Sequence, residues 1–249
     1  MSTLQTLSRG LTVLELVSRS PDGLAIAEIA RQLGVHRAIA YRLVTTLEEH
    51  MLVARGDDGR ILIGSGVVAL AGRYQPQLRM AAQPVLVSLA EASGATAFLC
   101  VAQGDECVAV EVAEPEQPML KVSYRAGTRH PISRGAAGLA IAMQRPPQSS
   151  DSAALTAARN QGYALTRGQL QEGAIGLAAP LMHGNHQLAG DTPPSSQMHG
   201  IYMYANPTHG AQIPGVRACI GVVAMQALDT ETAATEVLRH RDRLLSAIG

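Results

Sequence analysis

The feature that leaves the fewest folds open is a change of hydrophobic period, from helical to strand-like, completed within about 60 residues. From Leu4 to Arg19, the residues Leu4, Leu7, Leu11, Leu14 and Val17 recur at spacings of three and four, which predicts a helix with one apolar stripe. Ser20-Pro21-Asp22-Gly23 stops it, proline and glycine being breakers. A shorter helix fits Ala25 to Leu33, burying Ile26, Ile29, Ala30 and Leu33, and Gly34 then supplies a tight turn. A third helix fits His36 to His50, with Val35, Ile39, Leu43 and Leu47 four residues apart on its inner side. The period then shortens. Leu52-Val53-Ala54-Arg55 and Arg60-Ile61-Leu62-Ile63 flank Gly56-Asp57-Asp58-Gly59, and an Asp-Gly turn between two short β segments reads as a hairpin. Three helices followed by a hairpin predict a winged helix-turn-helix over residues 1–64.

The remaining chain reads as a helical linker over 65–78, broken near Gln75-Pro76, and a second domain over 79–249. Leu78 to Ala92 continues as helix, with Leu86 and Leu89 on an apolar face. Strands are expected at Ala95–Ala102 and Cys107–Val112, joined across Gln103-Gly104-Asp105-Glu106, and again at Leu120–Tyr124, Ile175–Met182 and Cys219–Met225. Helices are expected at Arg134–Met143, at 151–161, and after Asp229, which caps a last amphipathic segment. Strands mixed with helices at both ends make this an α+β domain. The stretch 183–216 is an irregular insert, rich in proline, without clear periodicity; a loop this long is usually functional.

Composition narrows the chemistry. An apolar content of 47% supports a real core, and no run of about 18 apolar residues is present to span a membrane. The segment Met1-Ser2-Thr3-Leu4-Gln5 has no basic region leading into an apolar run, so no secretory signal is read and a cytoplasmic location is expected. Three cysteines, Cys100, Cys107 and Cys219, fit reduced buried thiols better than a disulfide framework or a zinc site. His183, His186, His199 and His209 share the irregular insert without cysteines or paired carboxylates, so no metal and no cofactor is expected there. Twenty basic and 20 acidic residues cancel, which excludes blanket adhesion to nucleic acid but leaves room for a small basic patch. The basic residues are nearly all arginine, Lys121 being the only lysine, and arginine is the better reader of guanine edges and phosphates.

In a helix-turn-helix the second helix enters the major groove with its N-terminal end first. Here that helix leaves His36, Arg37, Ala38, Tyr41, Arg42 and Thr45 to face outward, if Ile39 and Leu43 face inward. Arginines early on the helix can fork onto guanine, Tyr41 and Thr45 can bond phosphate, and small Ala38 and Ala40 permit close approach. Arg55 and Arg60, on the wing beside Asp57 and Asp58, are placed to straddle the adjacent backbone. A protein-docking module is the competing use of such a bundle. An enzyme is the other rival, with Cys107 as thiolate, His130 as base and Glu172 as acid or base. No nucleophile elbow, phosphate-binding glycine loop or metal motif frames them, so no catalytic residue is assigned.

The order of these segments resembles the IclR-type family of bacterial transcription regulators. The resemblance is carried by Ser8-Arg9-Gly10-Leu11-Thr12-Val13-Leu14, by Ile26–Val35, by Ala40-Tyr41-Arg42-Leu43-Val44-Thr45-Thr46-Leu47, and by the wing ending Ile63-Gly64. It continues through Gly127–Ala140, Gly162-Tyr163-Ala164, and Glu172-Gly173 leading to Ile175-Gly176-Leu177-Ala178-Ala179-Pro180. It implies a GAF-like effector-binding domain, a double-stranded DNA operator, and a small organic or aromatic acid as effector. It also implies homodimers built largely through the N-terminal half, and often homotetramers. Carried across residue by residue, the effector site falls on Ser133, Gly135, Ala136, Glu172, Gly176, Gly221 and Val223. Gly135 and Ala136 offer backbone N–H groups, whereas Gly176, Gly221 and Val223 stand where the family has polar side chains, and Thr166 stands near its acidic residue. A pocket so lined is expected to prefer a larger, more apolar or aromatic ligand, because buried polar ligand groups need partners.

Overall fold

The computed structural model describes residues 3–116, 124–182, 216–225 and 228–248. The expected strand at Leu120–Tyr124 falls mostly, and the insert 183–216 almost wholly, outside the described residues. The chain divides into two compact units, 1–76 and 77–249, the first helical with a small hairpin and the second an α+β sandwich.

The first unit contains α1 (Gln5–Ser18), α2 (Ile26–Leu33), α3 (Arg37–Glu49), β1 (Val53–Arg55), β2 (Ile61–Ile63) and α4 (Gly66–Gly72). β1 and β2 pair antiparallel as the wing, Ala54 opposite Leu62. Its core joins Val13 and Val17 of α1, Ile26, Ile29 and Ala30 of α2, Ala40, Leu43, Val44 and Leu47 of α3, and Val53 and Ile61 of the wing.

Two expected faces are corrected here. On α1 the face turned to the core is Gly10, Val13 and Val17, while Leu4, Leu7 and Leu11 are 76, 60 and 52% exposed. Leu14 and Val17 of the expected stripe do pack on the core, and Leu4, Leu7 and Leu11 are the part that the unit leaves uncovered. On α3 the inward row is Ala40, Leu43, Val44 and Leu47, the i, i+3, i+4, i+7 set of an amphipathic helix. Ile39 is consequently turned out, 42% exposed, and Ala40 is sealed in the core rather than open to close approach.

The second unit contains α5 (Pro76–Ser93, which begins at the boundary), β3 (Thr96–Gln103), β4 (Glu106–Ala113), β5 (Arg129–Pro131), α6 (Gly135–Ala142), α7 (Ala153–Gln161), β6 (Ala164–Arg167), β7 (Ala174–Pro180), β8 (Ala218–Met225) and α8 (Thr230–Ile248). Its strands form one antiparallel sheet in the order β5-β4-β3-β8-β7-β6. Alternation along each strand sorts side chains to two cores. Leu99 and Val101 of β3, Ile220 and Val222 of β8, and Leu177 of β7 pack against Leu86 and Leu89 of α5 and Val237 and Leu244 of α8. Phe98, Cys100, Ala178 and Cys219 emerge on the other face, against Ala137, Ala140 and Ile141 of α6 and Leu155 and Ala158 of α7. All three cysteines are buried and unbridged.

α5 and α8 are also pinned by one buried polar contact. The Ser88 hydroxyl donates to His240 Nε2 at 3.0 Å while His240 Nδ1–H donates to the Glu236 carbonyl at 2.8 Å. Burial holds this imidazole below the usual histidine range, so it is neutral at pH 7. Asp229 caps α8 as expected, accepting from the backbone N–H groups of Glu231 and Thr232. No described helix is long and apolar enough to cross a membrane.

Candidate functional site

The first unit presents one helix end to solvent. Gly34, at φ +63°, turns the chain between α2 and α3, a left-handed conformation that glycine adopts without strain. His36 caps α3, its Nδ1 accepting from the Ala38 N–H at 3.3 Å. No acidic residue lies in the first turn, so the partial positive charge of the helix N-terminus is left uncompensated. Arg37, Ala38, Tyr41 and Arg42 are exposed and Thr45 is half-buried. Nearby acids are already engaged. Glu28 holds Arg31 in two bonds of 2.6 and 2.9 Å and also accepts from Gln32. The Arg31 guanidinium beside it, with Gln32, draws the Glu28 carboxyl down to about 2.

The wing arginines differ from those of the helix. Arg55 pairs with Glu48 at 3.5 Å and lies over the Tyr41 ring, 5.8 Å from its centroid. Arg60 donates to the Gly23 carbonyl at 3.2 Å and pairs with Asp58 at 3.3 Å. Both are tied to their own fold. Among the described residues no ion pair engages Arg37 or Arg42, so these two guanidiniums keep their fork geometry for a partner outside the chain.

The second unit holds a cavity with about 360 Å³ of empty space, counting the part that opens to solvent. Its walls come from β3, β7, β8, the start of α6 and the loop after β6. Phe98, Tyr124, Ala136, Ala137, Leu170, Ala174 and Val223 make most of the lining apolar, with His130, Thr166, Gln169 and Gly176 completing it. The rings of Phe98 and Tyr124 stack tilted, 5.1 Å between centroids and 48° between planes. The Tyr124 hydroxyl lies 3.1 Å from Cys100 Sγ, and burial, then Cys100, pushes its pKa upward.

Of the seven expected effector residues, Ala136, Gly176 and Val223 line this cavity, and Ser133, Gly135, Glu172 and Gly221 do not. Ser133 and Glu172 are exposed. The Gly135 N–H already donates to Gln169 Oε1 at 2.9 Å, and Leu170 covers its α-carbon. Gly221 lies beneath Phe98: a methyl group there would meet Phe98 Cζ at 2.7 Å, so the ring fills the place of a side chain. Thr166, half of a β6–β7 pair with Gly176, faces the cavity.

The enzyme constellation does not assemble. Burial raises the Cys107 thiol to about 12, which keeps it protonated, and burial pushes the Cys219 thiol upward as well. Cys107 and His130 are opposite each other on β4 and β5, but among the described residues no hydrogen bond links either to the exposed Glu172.

Residues 6–57 match the IclR helix-turn-helix domain. The helix-turn-helix of this chain is of the IclR type. The HTH-type transcriptional regulator TtgV of Pseudomonas putida is 27% identical to it over 151 residues, covering 60% of this chain and 58% of that protein. The transcriptional repressor IclR of Escherichia coli is 27% identical over 145 residues, covering 57% and 53%. The chain thus spans little more than half the length of these curated relatives. An IclR regulator from Alicyclobacillus acidocaldarius has the same fold, at TM-score 0.70, 19% identity and full coverage of both chains. So has an IclR homologue from Microbacterium hydrocarbonoxydans complexed with 4-hydroxybenzoate, at TM-score 0.72, 18% identity, and coverage of 98% and 99%.

Outside the expected residues the cavity is lined by Phe98, Tyr124, Gln169, Leu170 and Ala174, and by His130 and Ala137 within the stretch Gly127–Ala140 that carries the resemblance. Phe98 is the one phenylalanine of the chain, on a strand whose continuous apolar run does not tell one face from the other. Gln169 and Leu170 carry no signal either, because their place depends on how a turn folds over α6.

Proposed function

We propose that this chain is an IclR-type, sequence-specific DNA-binding transcription regulator controlled by a small organic or aromatic acid held in the cavity of residues 77–249. The observation that carries the reading is the pair Arg37 and Arg42, exposed at the N-terminal half of α3 and, among the described residues, engaged by no ion pair. His36, Ala38, Tyr41 and Thr45 complete the reading face, with Arg55 and Arg60 on the wing. Because the fold already binds both wing arginines, they contribute less than the helix pair. Residues 1–64 then read DNA, 65–78 link, and 79–249 sense the effector. The location is the cytoplasm, where the DNA is.

The uncovered stripe Leu4, Leu7 and Leu11 supports a homodimer formed through α1, since apolar rows of this kind seldom face water alone. A two-fold dimer reads a palindromic or repeated half-site. The aromatic lining favours a ring-bearing acid, in keeping with the 4-hydroxybenzoate bound by the Microbacterium protein of the same fold. A second reading, a regulator with no small-molecule ligand, draws on Gln169, whose Oε1 already takes the Gly135 N–H.

Arg37→Ala and Arg42→Ala are each expected to weaken operator binding by about 1–3 kcal/mol, roughly 5- to 150-fold, in a fluorescence-anisotropy titration at fixed salt. A variant that loses a base contact relaxes specificity at one position, and one that loses a phosphate contact weakens all sequences alike and flattens the salt dependence. Unchanged binding by both variants would remove α3 from the reading role.

A further inference from the structure

The cavity contains one polar atom whose chemistry is unanswered. His130 sits on β5 opposite Cys107, 7% exposed, and its ring lines the cavity. Its Nδ1 is 3.1 Å from the Pro131 carbonyl oxygen. A carbonyl can only accept, so Nδ1 carries the proton, and in a neutral imidazole Nε2 is then a bare acceptor. Nε2 is buried and, among the described residues, has no hydrogen-bond partner. Buried polar atoms in native proteins are nearly always satisfied, and an exception in a cavity wall marks a group waiting for a partner. Protonation does not resolve it, because burial opposes a charge on this ring and outweighs the Pro131 and Arg134 backbone groups that favour one.

The surroundings specify the partner. Phe98 and Tyr124 stack in the wall, while Leu170 and Val223 close the sides. Tyr124 does not serve His130: its hydroxyl lies against Cys100 Sγ, and no hydrogen bond joins it to Nε2. Walls this apolar and aromatic match the faces of an aromatic ring. We propose that His130 Nε2 accepts a hydrogen bond from a hydroxyl group on a ring-bearing ligand, so that the cavity selects a hydroxylated aromatic acid over the same acid without the hydroxyl. This rests on the effector-cavity reading above, which requires only that an aromatic acid binds; the added claim is which substituent His130 recognises.

The test compares 3- and 4-hydroxybenzoate with benzoate by calorimetric titration of the full-length protein and of His130→Phe, which keeps a flat ring and removes the acceptor. At least one hydroxybenzoate should bind wild-type protein about tenfold more tightly than benzoate, the order of effect of one buried hydrogen bond. In His130→Phe that preference should vanish while benzoate affinity is retained. A second readout needs no variant: in protein labelled with ¹⁵N-histidine, the Nε2 resonance of His130 should move upfield with the preferred hydroxybenzoate and stay in place with benzoate. Equal binding of the three acids, a preference that survives His130→Phe, or an Nε2 resonance indifferent to the hydroxyl would overturn the assignment to His130 alone. Failure of all three acids to bind folded wild-type protein would overturn it together with the aromatic-effector reading.

Discussion

Gly221→Val is expected to destabilise the 77–249 unit by about 3 kcal/mol, at the upper end of what overpacking a core usually costs. The first carbon of any side chain at this position would stand 2.3 Å from the Leu177 carbonyl oxygen, 2.7 Å from Phe98 Cζ and 2.8 Å from Ala178 Cβ. The first of these is backbone in the neighbouring strand, where Ala178 pairs with Gly221, so relief requires β7 and β8 to separate. The second would push Phe98 into the cavity it lines. Hydrogen exchange read strand by strand should show protection lost in β7 and β8 and retained in α1, α2 and α3. The comparison variant is Gly176→Ala, one cross-strand step away, whose new methyl group would find Ala136 Cβ and Thr166 Oγ1 at an ordinary 3.4 Å. It should fold normally and narrow the cavity. Equal stability of the two variants would show that β8 tolerates a side chain where the geometry leaves no room.

Arg159→Met should cost about 3 kcal/mol through the far end of the same helix. α6 ends with carbonyls that lack a full set of helical donors, and Arg159 of α7 donates to two of them, Nη1 to Met143 at 2.6 Å and Nη2 at 3.2 Å to Ala142, which also accepts from the Arg145 N–H. Hydrogen bonds from a charged donor to buried groups are worth about 1.5–3 kcal/mol each, with part regained by the apolar chain of methionine. Arg159 is also held to Asp151, which Arg145 shares. Burial pushes the Asp151 carboxyl up, but the Gln148 N–H and Arg145 outweigh it and leave it below the usual range. The midpoint of chemical unfolding should fall accordingly. Because α6 carries Ala136 and Ala137 into the cavity wall, aromatic-acid affinity should fall with it. Loss of stability without loss of affinity would mean that the C-terminal end of α6 does not set the position of its N-terminal end.

Element type in the first unit was readable because helix and strand periods differ and the breakers fall between them. Faces were less so. The apolar stripe of α1 divides between core and solvent, and a row of leucines looks the same to periodicity whether it faces the core or a partner; Val13 and Val17 won the core because they meet α2 and α3. On α3, Ile39 and Ala40 differ by one residue, and the larger side chain was taken as the inner one until packing placed Ala40 in the row with Leu43, Val44 and Leu47. In the second unit β3 is buried on both sides of the sheet, so it shows no alternation to say which residue looks where. β5, only three residues long, carries no period, and it is the strand that holds His130. The cavity was partly visible through the resemblance, in Ala136, Gly176 and Val223. Gly221 stands outside the lining because it makes room for Phe98, a contact between strands remote in sequence. Ser133 and Glu172 are exposed, and the turn bearing Gln169 and Leu170 takes the Gly135 N–H for itself.

The measurement that bears most directly on the whole reading is a titration of the purified protein, at several salt concentrations, against the intergenic DNA upstream of its own gene, with random duplex as competitor. The account predicts preference for the upstream DNA by about a thousandfold or more, at a stoichiometry of two chains per site, with an affinity that falls as salt rises. Equal affinity for both duplexes, or no binding by folded protein, would contradict it and leave α3 as a docking surface for another protein.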